Sequence, residues 1–145
     1  MPVPDNHHEL PAMPKGKTRP MNFHCHRVRV GDAGVKGRGV FARCAIQARE
    51  AVEVAPALLI PRRDESAIDS TFLANYAFSH NDAFDLIGLG YISLYNHSFD
   101  PNAQFVLMER AILITALRPI AEGEEILIDY GWSDADFEAV GIPKA

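Results

Sequence analysis

Apolar residues fall in short runs along this chain, each closed by Gly, Pro or charged residues, with runs at 27–30, 39–46 and 51–60 in the first half. Runs of that length and texture predict β-strands. Residues 66–79 follow another rhythm: Ile68, Phe72, Tyr76 and Ser79 share one helical face with Leu73 and Ala77 beside it, which predicts a helix capped by Asp64 or Ser66. Beyond it, a short apolar stretch at 84–89 is broken by Gly88 and Gly90, and 91–95 predicts a helical turn. Residues 103–108 and 111–117 predict a strand pair across Glu109-Arg110, and 126–129 a further strand after the Ala121-Glu122-Gly123 turn. Many strands, one helix and no βαβ alternation predict a mainly β fold with one principal helix (α+β). They exclude a doubly wound nucleotide-binding sheet.

The leading segment breaks this texture. Pro2, Pro4, Pro11, Pro14 and Pro20 stand among polar residues, a composition unable to bury enough surface to order itself. Residues 1–21 are therefore expected to form a disordered N-terminal tail. The whole chain of 145 residues suits one domain with one core. Charge is uneven: residues 1–50 carry nine Lys/Arg against four Asp/Glu, and the remainder five against fifteen, so a +5 segment precedes a −10 body. An acidic body suits a cationic peptide partner better than a phosphate backbone, and no direct nucleic-acid binding is expected. Two cysteines, Cys25 and Cys44, make no disulfide framework. No apolar run nears the roughly 18 residues that would span a membrane, and no signal-peptide core is present, so a soluble, cytoplasmic protein is expected.

Three stretches carry candidate chemistry. Gly37-Arg38-Gly39 precedes a strand, where missing Cβ atoms let backbone approach a ligand; alone it also reads as an ordinary turn. Asn96-His97-Ser98-Phe99-Asp100-Pro101-Asn102 is a polar loop between apolar neighbours, readable as a hydrogen-bonded structural loop or as a ligand site. Tyr130 closes the run Gly123-Glu124-Glu125-Ile126-Leu127-Ile128-Asp129 and could be a half-buried aromatic or a reactive phenol. His24-Cys25-His26 lacks a fourth ligand at usable spacing, so no metal is expected.

In this order the three stretches resemble the SET-domain protein lysine methyltransferases, closest in size and spacing to compact viral and bacterial members. The resemblance implies a β fold of small sheets with a knotted C-terminal segment, a domain over 22–131 and a short C-terminal flap over 132–145. It implies S-adenosylmethionine as methyl donor, with no metal. The cofactor site would comprise Gly37, Arg38 and Gly39, Asn96 at the donor's amino acid end, the backbone of His97 at the adenine, and Trp132 closing over. Tyr130 would be the catalytic residue, and Tyr76, Ile128 and Tyr130 would line the lysine channel. Ile128 stands where the family often has Phe or Tyr, and the room it leaves implies di- or trimethyl-lysine as product. Two positions depart from the pattern: Phe99 replaces a usual Cys, and Ser93 an arginine, leaving the cofactor carboxylate without an assigned partner. The implied partner is a lysine-bearing protein or basic peptide, histone or histone-like, and the small size implies a homodimer that completes its site. The rival reading is a SET-like module that binds cofactor or a basic peptide with little turnover.

Overall fold

The computed structural model describes residues 24–141, so the tail expected over 1–21 and the last residues of the flap, 142–145, lie outside the described residues. Strands β1 (Val28–Asp32) and β2 (Arg38–Ala42) form an antiparallel hairpin, with Val28 opposite Ala42 and Asp32 opposite Arg38. A 3-10 turn, Gly34–Lys36, joins them. Gly34 and Gly37 take φ of 64° and 78°, a left-handed backbone that side chains disfavour, and this is why the turn is glycine-bounded.

The main sheet has five antiparallel strands in the order β4-β5-β3-β8-β7. Its spine is β3 (Ala51–Pro61), with β4 at Ala77–Ser79, β5 at Phe84–Gly88, β7 at Ala103–Leu107 and β8 at Ala111–Ala116. The first half of β3 pairs with β8 and the second half with β5, the change falling between Pro56 and Ala57. One long strand thus serves two partners in succession, which curls the sheet. Proline at the change is fitting, because it cannot donate to a ladder. A register shift lies between Ala51 and Glu53. It breaks the in–out alternation, so that neighbours Val52 and Glu53 are both buried.

A second layer completes the core. Strand β6 (Asn96–His97) pairs in parallel with β9 (Leu127–Ile128). The segment carrying β9 is gripped on both sides. On one side, Ala42 N–H donates to Glu124 O at 2.9 Å and Ile126 N–H to Val40 O at 2.8 Å. On the other, Ser98 N–H donates to Ile128 O at 3.0 Å and Asn102 bonds the backbone of Glu125 and Leu127. Ile46, Val52, Ile112, Ile114, Ile126 and Ile128 fill the space between the layers.

The mainly β class expected from the sequence is what the chain adopts, but the long helix over 66–79 is not. In its place stand α1 (Glu65–Asp69), a 3-10 turn at Phe72–Tyr76 and strand β4. Ser70 Oγ donates to Ala67 O at 2.9 Å and Thr71 Oγ1 to Ile68 O at 2.8 Å, ending the helix locally. Thr71 Oγ1 then accepts from Leu73 N–H, starting the next turn. From Ala77 the chain gains a ladder with β5 instead, Ala77 facing Ile87.

The second helix, α2 (Asp134–Val140), begins at Ser133, whose N–H and hydroxyl both donate to Asp136 Oδ2 at 2.7 Å. It docks through Phe137, 1% exposed, whose ring lies 4.6 Å from His97 and 5.3 Å from Trp132 between centroids. Phe137→Ala would remove this anchor and leave a cavity, so we expect a loss of about 3–5 kcal/mol in chemical unfolding. A loss below about 1 kcal/mol would mean that α2 contributes little to the core.

Candidate active site

A cavity of about 540 Å³ opens between the two layers, within the usual size of small-molecule sites. Its walls include Arg38, Tyr76, Asn96, Ile128, Tyr130 and Trp132, which brings six of the residues expected from the sequence to one place. Gly37, Gly39 and His97 are not on the walls. Gly37 is the exposed cap of the turn before β2. Gly39 lies buried behind the site, and a Cβ there would press on Glu125 Oε1 and stand 2.9 Å from Asn96 Nδ2. Its bare backbone is what lets the Asn96 amide and the Glu125 carboxylate approach β2.

Asn96 is fixed by both amide hydrogens: Nδ2 donates to Arg38 O at 3.1 Å and to Glu125 Oε1 at 2.7 Å. Only its Oδ1 is left as an acceptor for a ligand. His97 is buried, and its Nδ1 accepts from Tyr130 N–H at 3.1 Å. A nitrogen that accepts carries no proton, so the ring is neutral with its hydrogen on Nε2. Nε2 is buried without a partner. Phe99 and Phe137 close round the ring, at 4.4 and 4.6 Å between centroids. Burial is the main cause that holds the His97 pKa below its ordinary value, and the exposed Asp129 carboxylate, 3.6 Å from Nδ1, opposes it.

Tyr130 is half-buried, and its hydroxyl donates to Tyr95 O at 2.6 Å. Burial, then the neighbouring Tyr76 and Glu125, push its pKa up to about 12, so it is a neutral phenol at physiological pH. With its hydrogen committed to Tyr95, the oxygen offers lone pairs only. Trp132 meets the Tyr130 ring edge-on at 5.3 Å. Tyr76 stands on the wall at the end of its 3-10 turn, not on a helix.

Several participants were not foreseen from the sequence. Lys36 lines the cavity and its Nζ donates to His97 O at 3.4 Å. Together with Arg38 it makes the cationic part of a wall that, among the described residues, carries no carboxylate. Its adjacency to the glycine turn was the available signal. Tyr95 and Glu125 gave none, since each matters through a partner far along the chain. Among the described residues, no cluster of His, Cys, Asp and Glu is close enough to hold a metal ion. No helix of these residues is long and apolar enough to cross a membrane.

A curled β fold with such a pocket, walled by Lys36 and Arg38 of a glycine-bounded turn, by the half-buried Asn96 next to the buried His97, and by a strand-end tyrosine, defines a SET-type architecture. The SET domain profile matches residues 37–131, and the chain belongs to the SET-domain family. Its enzymatic class is that of the protein-lysine methyltransferases. A histone-lysine N-methyltransferase of Schizosaccharomyces pombe, described as specific for lysine 37 of histone H3, is 32% identical over 107 residues, covering 72% of this chain and 73% of its own. The crystal structure of a candidate histone methyltransferase from Plasmodium falciparum superposes with a TM-score of 0.62 at 28% identity, over 75% of this chain and 96% of that one. The Chaetomium thermophilum Polycomb Repressive Complex 2, as a humanised mutant bound to an inhibitor, shares the fold at a TM-score of 0.62 and 24% identity, over 72% of this chain and 15% of that one.

The neutral, buried imidazole has a thermodynamic consequence. The unfolded chain takes up the His97 proton near the ordinary value of 6.5, while the folded chain resists it to lower pH. Its contribution is therefore complete above that value and lost as pH falls through the depressed folded value. We expect the urea midpoint to drop more for wild type than for His97→Gln between about pH 7.5 and pH 5.5. Equal drops would show that His97 does not govern this range.

Proposed function

We propose that the protein transfers methyl groups from S-adenosylmethionine to the ε-amine of lysine in a basic protein or peptide. The observation that carries this reading is the Tyr130 hydroxyl, fixed by Tyr95 O at 2.6 Å in the wall of a cavity that also presents Asn96, Ile128 and Trp132. When bound, S-adenosylmethionine supplies an electrophilic methyl on a sulfonium. The residues present fit it: Gly39 leaves room for the Asn96 amide, whose free Oδ1 can accept from an ammonium. Lys36 and Arg38 offer the anion partners that Ser93 does not, and Trp132 an aromatic wall.

Transfer requires a neutral amine in line with the methyl, whereas lysine is ordinarily charged below about pH 10.4. Tyr76, Phe105, Leu107 and Ile128 give the cavity an aromatic and aliphatic side, which disfavours an ammonium and so favours the attacking form. The Tyr130 oxygen, its hydrogen committed to Tyr95 O, can stabilise positive charge that develops on methyl and nitrogen. The acidic body, −10 over residues 51–145, favours approach of a lysine-rich partner, and a histone or histone-like protein has that chemistry.

Tyr130→Phe is expected to lower transfer of labelled methyl on the order of 10²-fold while calorimetry with S-adenosylhomocysteine gives an almost unchanged dissociation constant. Undiminished transfer would remove Tyr130 from the chemistry and favour a binding module. Ile128 is fully buried on the cavity wall and holds no water by a hydroxyl. The amine then has room to turn between transfers, and di- or trimethyl-lysine should accumulate in mass spectra of a peptide substrate. Ile128→Tyr should shift product towards monomethyl-lysine; a wild-type enzyme that halts at one methyl under excess donor contradicts the argument from space.

A further inference from the structure

Glu53 is a carboxylate sealed inside the protein, 1% exposed, on the face of β3 that also buries Ala55. It stands opposite buried Ile114 of β8 and in phase with buried Ala55, and the register shift just before it turns Val52 inward as well. Burying a charge is costly unless partners meet it, so each partner it has matters. Oε1 accepts from Tyr91 N–H at 3.0 Å, and Oε2 accepts from the Tyr95 hydroxyl at 2.7 Å. Tyr91 and Tyr95 flank the 3-10 turn Ile92–Leu94 as its two caps. One carboxylate therefore holds both ends of the turn that leads into β6. Gly90, at φ 74°, is the third contact: a Cβ there would lie 2.8 Å from Glu53 Oε1. Burial pushes the Glu53 carboxyl above its ordinary value, and the two donors oppose that push.

We propose, on the reading of Tyr130 as the catalytic residue, that Glu53 and the Tyr95 hydroxyl are positioning residues: they set the place of the Tyr95 carbonyl, and through it the direction of the Tyr130 hydroxyl. Tyr95 is 1% exposed, and its side chain points to Glu53 while its carbonyl accepts from Tyr130. The same residue thus joins a buried anchor on β3 to the reactive oxygen. Without the anchor the turn can shift, and small displacements of a reacting group are expensive in rate.

The test compares Tyr95→Phe, Glu53→Gln and Tyr130→Phe with wild type. Tyr95→Phe keeps the ring and loses the anchor, so kcat should fall on the order of 10-fold with little change in KM for peptide. Glu53→Gln can still accept from Tyr91 N–H and donate to the Tyr95 oxygen, so kcat should stay close to wild type. A second readout is independent of turnover: with tyrosine labelled by carbon-13 at Cζ, four resonances are expected in wild type, and that of Tyr130 should move in Tyr95→Phe. It should not move in Glu53→Gln. If Tyr95→Phe is unstable because its carboxylate is half-paired, the double variant Glu53→Gln/Tyr95→Phe, with a neutral amide instead, should show the same kcat loss and the same shift. Wild-type kcat or an unmoved Tyr130 resonance in a folded Tyr95→Phe or double variant overturns the proposal. Full activity in Tyr130→Phe would instead sink the reading of Tyr130 as catalyst, while the resonance would still report whether the anchor holds it.

Discussion

The site depends on one buried amide. Asn102, 1% exposed, accepts from Leu127 N–H through Oδ1 at 2.8 Å and donates through Nδ2 to Glu125 O at 2.8 Å and Glu124 Oε1 at 3.0 Å. A side-chain amide thereby does what a neighbouring strand would do: it satisfies a donor and an acceptor of the passing backbone in a place no water reaches. It holds the 124–128 segment against β6, while β2 holds the opposite edge through Val40 O and Ala42 N–H. Everything at the cavity that lies close to Tyr130 follows from that double grip.

Within this frame the electrostatics are divided by depth. Lys36 and Arg38 stand on the cavity wall, and the carboxylates near it are turned into the scaffold: Glu125 to Asn96, Glu53 to Tyr91 and Tyr95. The two histidine nitrogens are divided in the same way, one occupied by the Tyr130 backbone and the other left in an aromatic shell. Charges that could compete with a charged ligand are thus already committed, and the open wall is mostly aromatic and aliphatic.

Much of this was readable in the sequence, and for a local reason. The glycine turn, the Asn-His loop and the strand-end tyrosine each have a backbone demand that restricts residue type, so they leave compact marks at 37–39, 96–102 and 130. The helix over 66–79 was misread because Ile68, Phe72 and Tyr76 have helical spacing even though Ser70 and Thr71 cap the helix and β5 captures Ala77–Ser79. Glu53 could not have been singled out. A lone acid in an apolar strand is marked as interior only by what it faces, here Ile114 of β8, some sixty residues away. The complete burial of Phe137 depends on the His97 ring, forty residues earlier, which no local pattern marks.

That double grip also orders events in time. Asn96, Asn102 and β2 must all be in place before residues 124–130 can seat between them, and none of these pairings is local in sequence. Long-range pairings close large loops and come slowly. The β3–β8 ladder is itself long-range, so the sheet and the cavity both wait on pairings of this kind, and binding competence cannot precede them. A ligand that favours the closed cavity would therefore stabilise all of these distant pairings at once by mass action.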